Sequence, residues 1–263
     1  MRIAVLIKQV PATDKVKINK ETGTMIRENL ESELNPLDMY AVEEAVRLKE
    51  KYNNVKTVAI SMGPPFAKDV IRDAISMGID KGYLVSDRKF GGADTWATAY
   101  TLKKAINKLG EFDIIFTGER ATDGETGQVG PSLAAQLNFP ILTYVSKIIE
   151  ITDEHIVVER SIEGGKEIVL SKLPVVISVV KEINEPHIPN LAGKIKAKKA
   201  DIPTFTSKDL NADPSKIGLL GSPTRVVNVY YPKMTRKGII IKSKDPESAV
   251  SELINFLKEK NII

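Results

Sequence analysis

Residues 113–138 read Asp113-Ile114-Ile115-Phe116-Thr117, then Gly118-Glu119-Arg120-Ala121-Thr122-Asp123-Gly124-Glu125-Thr126-Gly127-Gln128-Val129-Gly130, then Pro131-Ser132-Leu133-Ala134-Ala135-Gln136-Leu137-Asn138. The first part is a β-branched and aromatic run suited to a buried strand. The second is a glycine-rich turn over 118–130, and the third is an apolar helix opened by proline. The same alternation precedes this unit. Residues 2–8 form an apolar run expected of a buried parallel strand. Asn35 then reads as an N-cap and Pro36 as the first helical residue. The helix stripe is Leu37, Ala41, Ala45 and Leu48, supported by the Glu43–Arg47 pair. A second strand over 55–62 stops at Gly63-Pro64-Pro65, and the next helix directs Phe66, Val70, Ala74 and Ile75 inward. A third strand covers 82–86, and Asp94 caps a helix that ends at Gly110. Strands and helices alternating at this spacing predict an α/β fold with a doubly wound, mostly parallel sheet. Ligands of such sheets bind at the carboxyl ends of the strands, so the loops after Lys8, Met62 and Thr117 converge on one rim.

Beyond Pro140 the pattern changes. Residues 144–151, 155–161 and 167–170 are short β-rich runs separated by turns, which predicts an antiparallel extension, with a buried strand at 175–180. From Glu182 onward prolines recur at 186, 189, 203, 214, 223 and 232. That composition predicts an extended arm, ending in a helix capped by Asp245-Pro246 with Val250, Leu253, Ile254 and Leu257 as its stripe. The expected division is therefore an α/β domain with β extension over 1–181 and an arm over 182–263. A proline-rich arm needs another surface to lie on.

Composition narrows the chemistry. The 263 residues include no cysteine and two histidines, His155 and His187. Disulfides, thiolate metal sites and cysteine-held iron–sulfur clusters are thereby excluded, and a histidine metal site is not expected. No apolar run approaches the roughly 20 residues needed to cross a bilayer. The N-terminus reads as a core strand, not a signal peptide, so a cytoplasmic protein without membrane insertion is expected. A net charge of +4 is weak for nucleic acid. The basic run Gly193-Lys194-Ile195-Lys196-Ala197-Lys198-Lys199 lacks interleaved aromatic residues for base stacking. It is either a solvated face of the arm or a docking patch for an acidic partner.

The chemistry-bearing stretch is Thr122–Ser132. Its glycines let backbone approach a pyrophosphate, the helix start offers free N–H groups, and Thr126, Gln128 and Ser132 add neutral donors. No P-loop lysine accompanies it, so the cradle suits a diphosphate that is held, not cleaved. A tight glycine turn without ligand is the plain alternative. Asn35-Pro36-Leu37-Asp38 lies at another helix start on the same rim, where capping alone accounts for Asn35. Ser61-Met62-Gly63-Pro64-Pro65 could present backbone to an adenine edge or be an ordinary turn. Trp96, on a helix, is read as a core or interface residue and not as a flavin stacker. No catalytic triad, zinc spacing or carboxylate pair stands out, which leaves the chemistry to a cofactor.

In their order these segments resemble the electron transfer flavoprotein beta subunit. The matching blocks are Lys8-Gln9-Val10-Pro11, Asn35-Pro36-Leu37-Asp38 with Ala41-Val42-Glu43-Glu44-Ala45, and Ser61-Met62-Gly63-Pro64. They continue with Ala74-Ile75-Ser76-Met77-Gly78, Ser86-Asp87-Arg88 and Asp94-Thr95-Trp96-Ala97-Thr98. The most specific is Val180-Lys181-Glu182-Ile183-Asn184-Glu185-Pro186, followed by Pro189-Asn190-Leu191 and Lys196-Ala197-Lys198-Lys199.

The resemblance implies an adenine-nucleotide-binding fold and a heterodimer with an alpha subunit carrying its own FAD. It also implies a recognition loop whose Leu191 anchors into a flavin-dependent dehydrogenase. In a single-flavin type this subunit holds structural AMP. In a bifurcating type it holds a second FAD, which takes a hydride from NADH and splits the pair between ferredoxin or flavodoxin and the alpha-subunit FAD. The stretch 123–131 and Gly221-Ser222-Pro223-Thr224-Arg225-Val226-Val227 resemble the bifurcating pattern. Small residues at 124, 127 and 130 leave room for a diphosphate and ribityl chain. Gly118-Glu119-Arg120-Ala121 departs from the common glycine-arginine-glutamine-alanine by moving the positive charge one residue. The implied adenosine rim is Leu6, Asn35, Pro36, Leu37, Asp38 and Met62. Diphosphate contacts are expected from Asp123, Gly124, Thr126, Gly127, Gln128, Val129, Gly130 and Ser132. A stand-alone ATP-binding α/β protein is the alternative from another class, and a nucleic-acid-binding module is a weaker one.

Overall fold

Strand β1 (Arg2–Ile7) divides its side chains between two cores. Ile3, Val5 and Ile7 enter one, Ala4 and Leu6 the other, as the two-residue period of a doubly covered strand requires. The computed structural model describes residues 1–12, 17–18, 25–26, 32–227, 240–242 and 245–263. Around β1 lie β2 (Lys56–Met62), β3 (Lys81–Val85), β4 (Ile114–Gly118), β5 (Ile141–Ile151), β6 (His155–Ile162), β7 (Gly165–Lys172), β8 (Val175–Val179) and β9 (Thr204–Phe205). They form a nine-stranded sheet in the order β7-β6-β5-β8-β4-β1-β2-β3-β9. All pairings from β5 to β9 across the sheet are parallel, and β5, β6 and β7 pair antiparallel. The predicted fold class is the observed one.

Helices α1 (Pro36–Lys51) and α2 (Lys68–Ser76) cover one face of the sheet through Val42, Ala45, Ile71 and Ile75. Helices α3 (Thr95–Leu109) and α4 (Val129–Leu137) cover the other through Leu102, Ile106 and Leu133. The chain leaves β1 toward β2 on one side and returns through β4 on the other. The strand order therefore reverses at β1, and the crevice at its carboxyl end is the topological switch point.

Three local expectations are corrected. Phe66 does not point into the core. It lies in a one-turn 3₁₀ segment, Pro65–Ala67, with 49% of its surface exposed, because Ala67 takes the inward position. Trp96 is 48% exposed, so it is not a core residue. The segment after Glu182 is not simply extended. Asn190 accepts the Gly193 N–H and caps α5 (Leu191–Lys199), which holds the basic run and packs on α2. Gly193 permits that packing, since a Cβ there would lie 2.2 Å from the Ser76 carbonyl oxygen. Further on, β9 adds an edge strand to the sheet.

The signature segment around Asn184 is fastened to α1. Asn184 Nδ2 donates to the Tyr40 carbonyl and to Glu44 Oε2, both at 3.0 Å, and His187 Nδ1 lies 2.6 Å from Glu43 Oε2. Burial pushes the Glu43 carboxyl up, but hydrogen bonds from Arg47 and His187 outweigh it and hold the group below its ordinary range.

The chain forms two compact units, Met1–Val227 and Asn228–Ile263. Residues 182–227 thus cluster with the α/β domain. The second unit contains α6 (Pro246–Glu259), capped by Asp245 with Pro246 at its start, as read from the sequence. Pro232, counted among the arm's prolines, lies outside the described residues.

Candidate functional site

At the switch point the carboxyl ends of β1, β2 and β4 open into a cleft of about 1240 Å³. The first turn of α1 reaches it through Asp38. Asn35 N–H donates to the Lys8 carbonyl at 2.9 Å, and Asp38 Oδ2 accepts the Lys8 N–H at 2.8 Å, so the helix start terminates β1. The Asn35 side chain does not cap its own helix. Its Nδ2 donates to the Arg120 carbonyl at 2.9 Å and its Oδ1 accepts the Thr122 N–H at 3.2 Å. This corrects the capping account of Asn35, which instead fixes the loop after β4. Lys8 Nζ reaches the same loop at Asp123 Oδ1, 2.5 Å away. Gly118 is required where these parts meet, because a Cβ would lie 2.4 Å from Asp38 Oδ1 and 2.7 Å from the Leu37 carbonyl oxygen. Burial pushes the Asp38 carboxyl up to about 7, against hydrogen bonds from Asn35 and the Lys8 backbone and the nearby Lys8 charge.

Two helix N-termini face the cleft, and they differ. The α3 start is occupied by Asp94, whose Oδ1 accepts the Trp96 and Ala97 N–H groups at 3.0 Å. The α4 start has no side-chain cap, and Gln128, Val129 and Gly130 line the cleft there. Its first-turn N–H groups are the available anion donors. The approach is built of small residues. Gly127 holds φ +61, a Cβ at Gly130 would lie 3.1 Å from Thr117 Oγ1, and a Cβ at Gly124 would meet nothing within 4 Å. Thr117 Oγ1 and Gln9 Oε1 belong to lining or adjacent wall residues and are buried with no partner among the described residues. Cationic charge is largely balanced, with Lys8 paired to Asp123 and Arg120 to Glu119. Among the described residues no cluster of acidic or histidine side chains could hold a metal ion.

Of the residues singled out in the sequence, Leu6, Asp38, Met62, Gly124, Thr126, Gly127, Gln128, Val129 and Gly130 line this cleft. Asn35 and Asp123 stand behind it as loop fasteners. Pro36, Leu37 and Ser132 are not on its wall, Leu37 lying against Gly118. Leu191 is elsewhere, the first residue of α5 and 74% exposed. Sequence reading missed Phe66, Arg88, Phe90, Thr98 and Val226 as wall residues. Arg88 had a signal, since it lies in the loop after β3 as Gly63 and Pro64 lie in the loop after β2. For Val226 the one signal was the resemblance of residues 221–227 to the bifurcating pattern, because only tertiary folding brings it to the cleft.

Residues 22–210 match the family model described as the electron transfer flavoprotein domain. A relative from Thermoanaerobacterium thermosaccharolyticum, named electron transfer flavoprotein subunit beta, is 46% identical over the whole of both chains. The caffeyl-CoA reductase-Etf complex subunit CarD of Acetobacterium woodii is 40% identical, also over all of both chains. Protein FixA of Azorhizobium caulinodans is 39% identical over 88% of this chain and 85% of its own length. Among the described residues no helix is long and apolar enough to cross a membrane. With the family model matching residues 22–210 and relatives aligned end to end, the chain belongs to the electron transfer flavoprotein family as a beta subunit.

Proposed function

We propose that the cleft holds FAD and that this subunit is the entry point for electrons from NADH in a bifurcating flavoprotein. The observation that carries the reading is the uncapped α4 N-terminus, reached over a bare glycine path, opening on a cleft of about 1240 Å³. That exceeds the roughly 300–1,000 Å³ usual for pockets of drug-sized ligands, and AMP would leave much of it empty. The unpartnered Thr117 and Gln9 oxygens fit a ligand with many donors and acceptors.

Bound there, FAD supplies hydride acceptance and the division of the pair into single electrons. The residues of this chain bind and orient. Leu6, Asp38 and Met62 receive the adenosine, while Thr126, Gly127, Gln128 and Gly130 hold the diphosphate with neutral donors at the helix start. Asn35, Asp123 and Lys8 keep that loop in place. Arg88 and Phe66, further along the wall, would line the room left for the flavin end, with NADH as the donor and an alpha subunit carrying its own FAD as the partner. In that complex one electron would pass to ferredoxin or flavodoxin and the other, by way of the alpha-subunit FAD, to a flavin-dependent dehydrogenase docked at Leu191. The Acetobacterium woodii relative, by name part of a caffeyl-CoA reductase complex, supports a reductase or dehydrogenase as that partner. The assembly works in the cytoplasm.

The test is to purify the chain with its alpha partner and count nucleotides. Two FAD per heterodimer and rapid anaerobic bleaching by NADH are expected. One FAD with one AMP would sink the bifurcating reading and leave a single-flavin carrier.

A further inference from the structure

Residues 218–227 form a strap that lies against the cleft-lining residues Gly91, Gly92 and Asp94 and brings Val226 to the cleft wall. Its first part is seated by backbone. Leu219 N–H donates to the Gly91 carbonyl at 3.1 Å. Gly218, at φ +55, is so close to Lys89 that a Cβ would lie 2.1 Å from that residue's carbonyl oxygen. The last part is held by one carboxylate. Asp94 Oδ2 accepts both the N–H and the hydroxyl of Thr224, each at 2.9 Å. Asp94 N–H also donates to Ser222 Oγ at 2.8 Å, and the Ser222 hydroxyl donates to the Gly218 carbonyl at 2.7 Å. Two residues past Thr224, Val226 forms part of the cleft wall, and the second compact unit begins at Asn228.

The same carboxylate caps α3, whose Thr95 and Thr98 face the cleft. One group therefore fixes a cleft wall on each side of it. Burial raises the Asp94 carboxyl, but the hydrogen bonds from Ala97, Thr224 and Trp96 prevail and keep it below its ordinary range. It is charged at neutral pH, and hydrogen bonds to a charged acceptor are the stronger kind.

We propose that the Asp94–Thr224 pair is a clasp that closes the strap over the cleft and sets how long the cleft keeps its nucleotide. With the clasp shut, Val226 stands as the outer wall. When Thr224 leaves Asp94, the strap lifts from residue 222 onward while its glycine-seated start stays down, and the nucleotide leaves through the gap. Thr224 acts here as a positioning residue, through the strap. The proposal rests on the reading of the cleft as a nucleotide site.

Thr224 is the residue to change, because α3 does not depend on it for its cap. Thr224→Val removes the hydroxyl donor and keeps the N–H and the branched shape, whereas Thr224→Ser keeps the donor. The heterodimer of each variant is purified with its own bound nucleotide. Loss of adenine nucleotide after dilution is followed by chromatography, and amide hydrogen exchange is read across 218–227 and 95–109. Thr224→Val should release nucleotide about tenfold faster, with faster exchange at 222–227 and unchanged exchange in α3. Thr224→Ser should behave as wild type. Equal release from wild type and Thr224→Val, or equal acceleration in both variants, would overturn the clasp. Preparations carrying no adenine nucleotide would overturn the reading of the cleft instead, and the exchange measurement would still decide whether Asp94 holds the strap.

Discussion

Asp38 gathers donors from Asn35, Lys8 and Gly118 around a carboxylate that folding removes from water. Burial is the larger influence, and it raises the carboxyl from 3.8 to about 7. Between those values the folded chain keeps a proton that the unfolded chain has lost. This group's contribution to stability is therefore greatest below about pH 4 and falls as pH rises toward 7, by about 1.4 kcal/mol per unit. Asp38→Asn abolishes the titration and leaves an oxygen to face the Lys8 N–H. From pH 5 to pH 7, wild type should lose about 2 kcal/mol more stability in urea unfolding than the variant. Matching pH profiles would show that the carboxyl ionises at its ordinary value. Asn35, three residues earlier, shows a limit of sequence reading at this scale. Its identity and position before Pro36 spell a cap, yet its side chain serves a loop about Arg120, 85 residues away along the chain. Local sequence carries no trace of such a partner, because Asn35, Arg120 and Thr122 meet only after the sheet has formed.

Elements were legible where a periodic apolar pattern coincided with end signals. The helices α1 to α4 and the strands between them follow from such stretches, and so does the glycine turn that delivers the loop to the rim. Helix α5 was hidden for a physical reason. Its lysines alternate with small and apolar residues, giving no stripe, and its hold on α2 comes through Gly193, a residue that ordinarily weakens helices. Its cap, Asn190, was the one local signal. The helix changes the setting of Leu191, which stands on a capped first turn instead of a loose arm and projects with 74% of its surface exposed. An exposed side chain contributes little to folding, whereas burying a leucine at an interface is worth about 1.5–3 kcal/mol. Leu191→Ala should therefore leave thermal stability and nucleotide content unchanged. It should raise the concentration of flavoprotein needed for half-maximal reduction of the dehydrogenase by about tenfold or more. Loss of nucleotide from this variant would contradict a docking role.

Across the whole chain, the family resemblance rested on blocks that prove to be joints of one architecture. Asn184 and His187 fasten the chain to α1, and Asp94 fastens the strap. None of these partners could be paired from spacing, though each residue stood in a recognisable block. Both hydrophobic cores lie entirely within Met1–Val227. Among the described residues, none beyond Val227 belongs to either core and no residue of α6 is buried, so its stripe of Val250, Leu253 and Ile254 is exposed. An amphipathic helix without a covering surface is a site for association. Deleting residues 228–263 should accordingly leave the thermal midpoint of the remaining chain within about 5 °C of the full-length value. The full chain without its alpha partner should self-associate as concentration rises in sedimentation velocity, and the shortened chain should not. Adding the alpha subunit should suppress that self-association if α6 is a surface for the partner. A full chain that stays monomeric at high concentration would show the stripe to be covered from within, and a large fall in the midpoint of the shortened chain would place part of the core's support beyond Val227.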